Sequence, residues 1–273
     1  MADRLRQLAD LLASQQANPF RVGAYRRAAD TVAALPEDIG ELAGQRGREG
    51  LEALPGVGSS IASTIVELLR TGRSSQLERL RGSLDPEALF RTVPGIGAAL
   101  ARRIHDVLHV GTLEALEAAA HDGRLEAVSG VGPRRAAMVR AALGQMLART
   151  RAPGRAGAGP VVAQLLDVDR EYREAAASGR LPLIAPRRFN PAGEAWLPVL
   201  HTERGPWHCS ALFSNTARAH ELGRTRDWVV IHFVADGHDE GQHTVVTETA
   251  GPLAGRRVVR GREAECREYY RSR

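Results

Sequence analysis

Three copies of one short pattern constrain this chain more than any other feature. Leu54-Pro55-Gly56-Val57-Gly58, Val93-Pro94-Gly95-Ile96-Gly97 and Val128-Ser129-Gly130-Val131-Gly132 follow one another at intervals of 39 and 35 residues, and each opens a helix-like stretch. Each copy sets an apolar residue and a turn former before two glycines that flank a second apolar residue. That order suits a tight hairpin, where glycine accepts a positive φ without steric cost. The helix behind each hairpin starts with N–H groups that have no intrahelical acceptor, and the helix dipole adds positive character there. A phosphate oxygen can approach such amides without any base being read, so the pattern implies sequence-independent binding to a nucleic-acid backbone. The same residues also fit plain αα-hairpin turns that stop one helix before the next begins. Repetition at the interval of one supersecondary unit favours the binding reading.

With 273 residues the chain is long enough for two domains, each with its own core. All 37 of its basic residues are arginine, and the formal charge is +5. Arginine stays protonated and grips phosphate as a planar fork, but it cannot act as a Schiff-base nucleophile. Lysine-dependent chemistry is thereby excluded, and the only primary amine is the α-amino group, on Ala2 once Met1 is removed. The first 150 residues hold 19 Arg against 17 acids and the remainder 18 against 15, so binding must depend on local patches and not on net charge. No stretch is apolar enough to span a bilayer, and the charged start MADRLRQLAD lacks the apolar run of a signal peptide. A cytoplasmic protein is the expectation. Cys209 and Cys266 belong to no CxxC pair, so they read as packing or incidental thiols.

Alanine, leucine and arginine recur in helical rhythm over residues 1–149, which predicts helices near 3–15, 20–34, 59–70, 98–108, 112–120 and 133–148. The Pro/Gly/Ala stretch 150–160 reads as a linker. Residues 161–273 change character. A helix over 161–178 is followed by a proline-rich arm, then by strands at 195–200, 207–213, 228–234, 243–249 and 256–260. A short helix over 216–222, capped by Asn215, interrupts the strands, and a last helix covers 262–270. The fold class expected is a two-domain α+β chain, with an all-α N-terminal region and a C-terminal α+β domain built on a small antiparallel sheet.

The three glycine patterns resemble the helix-hairpin-helix motif. The run from Asn18 to Ala29 (NPFRVGAYRRAA), the following Ala34 to Ile39 (ALPEDI) and the hairpins together resemble the N-terminal, lyase-like region of family X DNA polymerases over residues 1–148. The resemblance implies a domain that grips gapped, nicked or branched DNA, one hairpin on each side of the gap, with Arg21, Tyr25 and Arg26 in a pocket for the 5′-phosphate. The DNA-binding residues it implies are Gly56, Val57, Gly58 and Ser60 at the first hairpin, Gly95, Ile96, Gly97 and Ala99 at the second, and Gly130, Val131, Gly132 and Arg134 at the third. No cofactor is evident beyond room for a monovalent cation at a hairpin.

The chain departs from that family in two ways. Lyase members carry lysines two and six residues beyond the second glycine of the first hairpin, where Ser60 and Thr64 stand here. Neither can form an imine, so lyase activity is expected to be absent. The polymerase half is missing as well. Asp167-Val168-Asp169 imitates the paired carboxylates that hold two Mg²⁺ ions, yet it lacks the preceding Gly-Ser-x-Arg-Arg signature and runs into helical sequence, where Asp167 or Asp169 reads as a helix-start acid. The bacterial members' appended phosphoesterase domain is not matched either, since no His-x-His follows.

Six of nine histidines fall between His201 and His243, near Glu203, Glu221, Asp227, Asp239 and Glu240. A divalent-metal nuclease or end-processing site is therefore conceivable, although the spacings fit no ligand pattern, and solvated or core histidines suit them better. Ser214 to Glu221 is the most site-like stretch of this half, as an anion-binding strand-to-helix turn or a plain capped helix start. Arg187-Arg188-Phe189 and Arg256-Arg257 offer phosphate contacts, and Phe189, Trp196 or Trp207 offer base stacking or core packing. The expected role is a DNA-binding protein of repair or processing, with the alternative of a structure-specific nuclease. DNA is the expected partner, with a repair protein on the C-terminal domain, and no catalytic or metal-ligating residue is assigned.

Overall fold

The computed structural model describes residues 1–82, 85–147, 159–235 and 240–272. The chain forms two compact units, Met1–Ala156 with Ala235–Glu240, and Gly157–Val234 with Gly241–Arg273. Most of the sequence expected to be a linker, 150–158, lies outside the described residues.

The first unit is helical and holds two apolar cores. Around the first pack α1 (Ala2–Ser14), α2 (Pro19–Ala33), α3 (Ile39–Glu52), α4 (Ser59–Thr71) and α5 (Ser75–Leu80), with Leu8, Leu12, Tyr25, Leu51 and Ile65 among the buried residues. Leu89, Phe90, Leu100, Ile104, Leu116, Val139 and Leu143 fill the second, from α6 (Pro86–Phe90), α7 (Ala98–Leu108), α8 (Leu113–His121) and α9 (Pro133–Met146). Side chains fix most helix starts. Asn18 caps α2 by accepting from the Phe20 amide at 2.8 Å, with Pro19 preset at the first position. Asp38, Ser74, Asp85 and Thr112 cap α3, α5, α6 and α8 in the same way. Helices α3, α5 and α6 are additional to the helices that the periodicity predicts. In α3 four glycines dilute helix propensity, and Gly47 breaks the helical dihedrals at φ +63°.

The second unit is an antiparallel sheet with helices against it. Helix α10 (Val162–Ala177) precedes β1 (Leu183–Ile184), β2 (Leu197–Arg204) and β3 (Trp207–Phe213). After α11 (Ala217–Glu221) come β4 (Val229–Val234), β5 (Gly241–Thr247), β6 (Arg257–Val259) and α12 (Glu263–Arg271). The six strands lie in sequence order. The expected strands are present with shifted ends, and β1 adds a two-residue strand inside the arm, pairing Ile184 with Leu197. Registers such as Cys209 opposite Phe233 and Val229 opposite Val245 put apolar residues on one face. Helix α10 is locked to the sheet by Tyr172, whose hydroxyl donates to the Pro198 carbonyl at 2.9 Å and accepts from the Phe213 amide at 2.8 Å. Burial raises the pKa of that hydroxyl and keeps it a donor. Cys209 and Cys266 are buried free thiols.

Candidate nucleic-acid interface

Each hairpin is a four-residue turn closed by one hydrogen bond. The Val57 amide donates to the Leu54 carbonyl at 3.1 Å, Ile96 to Val93 at 3.1 Å and Val131 to Val128 at 2.9 Å. The third residue of each turn, Gly56, Gly95 or Gly130, has φ of +77°, +86° or +88°. With Pro55, Pro94 or Ser129 second, that is the type II turn, which needs glycine at its third position. At Gly56 crowding adds to this need, since a Cβ there would lie 3.2 Å from Cβ of Arg27; at Gly95 the near atom is the end methyl of half-exposed Met138, which can swing aside, so the dihedral alone asks for glycine.

The second glycines differ. Gly58, Gly97 and Gly132 have φ of −83°, −85° and −92° with ψ near 175°, extended backbone that any residue adopts. A Cβ on Gly97 or Gly132 would meet nothing within 4 Å. Neither the dihedrals nor the packing of the chain demands glycine there, so what these positions leave open is an approach from outside.

Behind each second glycine the helix starts with unpaired donors. The first bonds run from Ala62 to Gly58 at 2.9 Å, Ala101 to Gly97 at 2.9 Å and Ala136 to Gly132 at 3.0 Å. The amides of Ser60 and Ile61, Ala99 and Leu100, and Arg134 and Arg135 precede those bonds and have no intrahelical acceptor. The amides of Val57, Ile96 and Val131 close the turns and their side chains are buried, so these residues shape the hairpins.

Cations border the third hairpin. Arg135 Nη1 donates to the Gly130 carbonyl at 2.7 Å, and a Cβ on Gly130 would lie 3.2 Å from Arg103 Nη2. Neither arginine was singled out from sequence, although Arg135 adjoins Arg134 and Arg103 lies six residues past a second glycine. At the N-terminal end, Arg21 is half-buried on α2, and exposed Arg26 faces Asp10 at 3.6 Å. Tyr25 is 1% exposed and donates its hydroxyl to Gln76 Oε1 at 2.5 Å, so its ring packs in the first core.

Beside the first hairpin a hollow is lined by Ser60, Ser63, Thr64, Glu67, Ser75 and Gln76, among others. Thr64 Oγ1 donates to the Ser60 carbonyl at 3.1 Å, and the Glu67 carboxylate accepts from the Ser75 amide at 3.0 Å and from its hydroxyl. These six residues supply hydroxyls, an amide and a carboxylate, and no amine. The carboxylate opposes entry of a phosphate.

In the second unit, Asp167 and Asp169 lie inside α10 and not at its start, a further correction. Asp169 is gripped by Arg257 and Arg173, and Asp167 by Arg204 and Arg170. The DxD carboxylates thus hold guanidinium groups. His201 Nδ1 bonds Ser210 at 2.9 Å and His208 Nδ1 faces Glu203 at 2.8 Å, whereas His238 and Asp239 lie outside the described residues. Among the described residues no three His, Cys, Asp or Glu side chains come together as a metal site. The cap of α11 also differs from expectation. Thr216 Oγ1 accepts from the Ala219 amide at 3.1 Å, leaving Asn215 to bond His220 at 2.6 Å and the Arg188 carbonyl at 3.0 Å.

No helix among the described residues is long and apolar enough to cross a membrane. No curated protein matches the chain. Residues 1–74, with the first hairpin and most of the first core, match the family model of a helix-hairpin-helix domain. Residues 87–145, with the second and third hairpins, match that of a SAM-like helix-hairpin-helix tandem. Helix-hairpin-helix domains are typical of DNA-binding proteins, and the N-terminal region of this chain is similar to two of them in succession.

Proposed function

We propose that this chain is a DNA-binding protein of repair or processing that holds gapped, nicked or branched DNA without reading its sequence. The observation that carries the reading is the second glycine of the later hairpins. Gly97 and Gly132 are glycine where neither φ nor packing asks for it, directly before helix-start amides. A phosphate oxygen drawn to those amides needs that space. Two helix-hairpin-helix regions in series, residues 1–74 and 87–145, suit a backbone grip on both flanks of a discontinuity. The likeness of residues 18–29 to family X polymerases supports the same substrate class. Ser60 and Thr64 at the imine-forming positions support a binding role there in place of a lyase role. The second unit then serves as an accessory module, attached to a helical region that does the gripping.

Anisotropy of the full chain on single-stranded, duplex, nicked, gapped and flapped DNA of one sequence, across a salt series, tests this. Tighter binding to the gapped or flapped forms, with no change when the sequence is permuted, is the expected result. Equal affinity for all forms, or no binding at low salt, overturns it.

A further inference from the structure

The second unit contains a cluster that the hairpin grip does not use. Phe189 has φ +52° and is 47% exposed. A phenylalanine in the left-handed region is strained relative to ordinary backbone, and a ring left half in water gains little from burial. Its ring centroid lies 4.5 Å from that of His220 at an interplanar angle of 38°, and Cζ of Arg188 lies 5.3 Å from the same ring. Asn215 braces both neighbours. Its Nδ2 donates to the Arg188 carbonyl at 3.0 Å, which leaves Oδ1 to accept from His220 Nε2 at 2.6 Å. The proton is therefore on Nε2 of His220, and Nδ1 of the neutral ring is an acceptor. Burial, then the charge of Arg188, lowers the pKa of His220 and favours that neutral form. Arg187 is exposed beside the pair, and Arg218 is exposed on α11, where it also faces Glu221 at 3.4 Å.

Two segments separate in sequence, Arg187-Arg188-Phe189 and Asn215 to His220, thus form one braced aromatic surface with the Arg188 guanidinium over the Phe189 ring and exposed Arg187 and Arg218 on the same two segments. A half-exposed ring held at a conformational cost, with one guanidinium over it and an exposed arginine two residues before it, fits a flat π-system that carries a negative charge close by. We propose that this surface binds an unpaired nucleotide of a DNA strand, the base stacking on Phe189 and the adjoining phosphate meeting Arg187 and Arg188. Only an unpaired base offers a free face, so duplex is excluded from the surface. The choice of DNA over other strands rests on the function proposed above; the stacking geometry stands apart from it.

The test uses the full chain, a short oligothymidylate carrying 2-aminopurine bases, and a duplex of the same length. The single strand should bind with a change in 2-aminopurine fluorescence. Phe189→Gly removes the ring and suits φ +52°, so it should keep the melting temperature, lose about tenfold in single-strand affinity and lose the fluorescence change, with duplex affinity within about twofold of the parent. Phe189→Tyr should restore both signals. Single-strand binding unaltered in Phe189→Gly, or equal loss on single strand and duplex, overturns the proposal, as does binding of the parent without a fluorescence change. Parent binding to the single strand but not to duplex overturns the hairpin grip and leaves this surface standing; binding to neither overturns both.

Discussion

Arg257 forks onto Asp169, with Nη2 2.6 Å from Oδ1 and Nε 3.0 Å from Oδ2, although 88 residues separate them. The Asp169 side chain is 1% exposed and that of Arg257 14%. Arg257 also reaches Asp227 at 2.8 Å, so one guanidinium joins α10, β6 and the approach to β4. Asp169→Ala removes the fork and leaves Arg257 with Asp227, so it is expected to destabilise the second unit by about 1.5–3 kcal/mol, the scale of hydrogen bonds to a charged group. All three tryptophans, Trp196, Trp207 and Trp228, lie in that unit, so urea unfolding followed by their fluorescence reads it directly. A loss below about 1 kcal/mol would mean that the fork contributes no more than a surface ion pair.

The two glycines of the second hairpin should respond in opposite ways. Gly95→Val puts a branched side chain at φ +86° against the Met138 methyl carbon, so the helical region should lose stability, by at least about 1–2 kcal/mol. Gly97→Ser occupies open space at a helix N-cap, a position serine favours, so circular dichroism melts should stay unchanged or rise slightly. Its DNA affinity should nevertheless fall about tenfold, the equivalent of one charge-assisted hydrogen bond. Retained affinity in Gly97→Ser would show that no phosphate comes close to this position.

Arg103 tests the cationic border. Its guanidinium lies beside the third hairpin and is exposed. If it neutralises one phosphate, Arg103→Ala should weaken binding by a similar factor on every sequence and reduce the slope of log K against log salt by about 1. An unchanged slope with weaker binding would assign Arg103 to hairpin geometry.

What could be read in the sequence was local. Gly56, Gly95 and Gly130 punctuate the chain where turn chemistry depends on adjacent residues, and the alternating strands 207–213 and 228–234 appeared within a residue of their places. Helix α3 was hidden by Gly40, Gly44, Gly47 and Gly50, whose low propensity is overridden by burial of Ile39, Leu42 and Leu51. The starts of α5 and α6 were available as Ser74 and as Asp85-Pro86, short signals without an apolar rhythm long enough to draw notice. Thr216 and Asn215 are both good caps, and one residue of difference decided which side chain was left for His220. The Asp169–Arg257 fork and the Arg188–Asn215 bond join residues 88 and 27 apart, and only the assembled sheet brings such partners together. The two glycines of each pair look alike in sequence, because sequence does not distinguish a glycine held at positive φ, such as Gly95, from one in extended backbone that any residue adopts, such as Gly97.

The His220 ring gives the second unit a pH dependence with a definite sign. Its folded pKa lies below the ordinary value of 6.5, through burial first and the Arg188 charge second. The unfolded chain therefore binds more protons in the interval between the two values, and stability rises with pH across it. The contribution is complete above about pH 6.5 and is lost as pH falls through the folded pKa. Glu248 and Glu265, lowered chiefly by hydrogen bonds from Arg260 and Arg262, act in the same direction, but their contribution is lost only as pH falls from the ordinary carboxylate value downward, below the interval that His220 governs, and both are shared by parent and variant. His220→Gln retains a donor for Asn215 and cannot titrate. Thermal melts by tryptophan fluorescence should show the parent more stable than the variant near pH 7.5, with the gap closing toward pH 5. A gap that is constant with pH would place the proton elsewhere and leave His220 a packing residue.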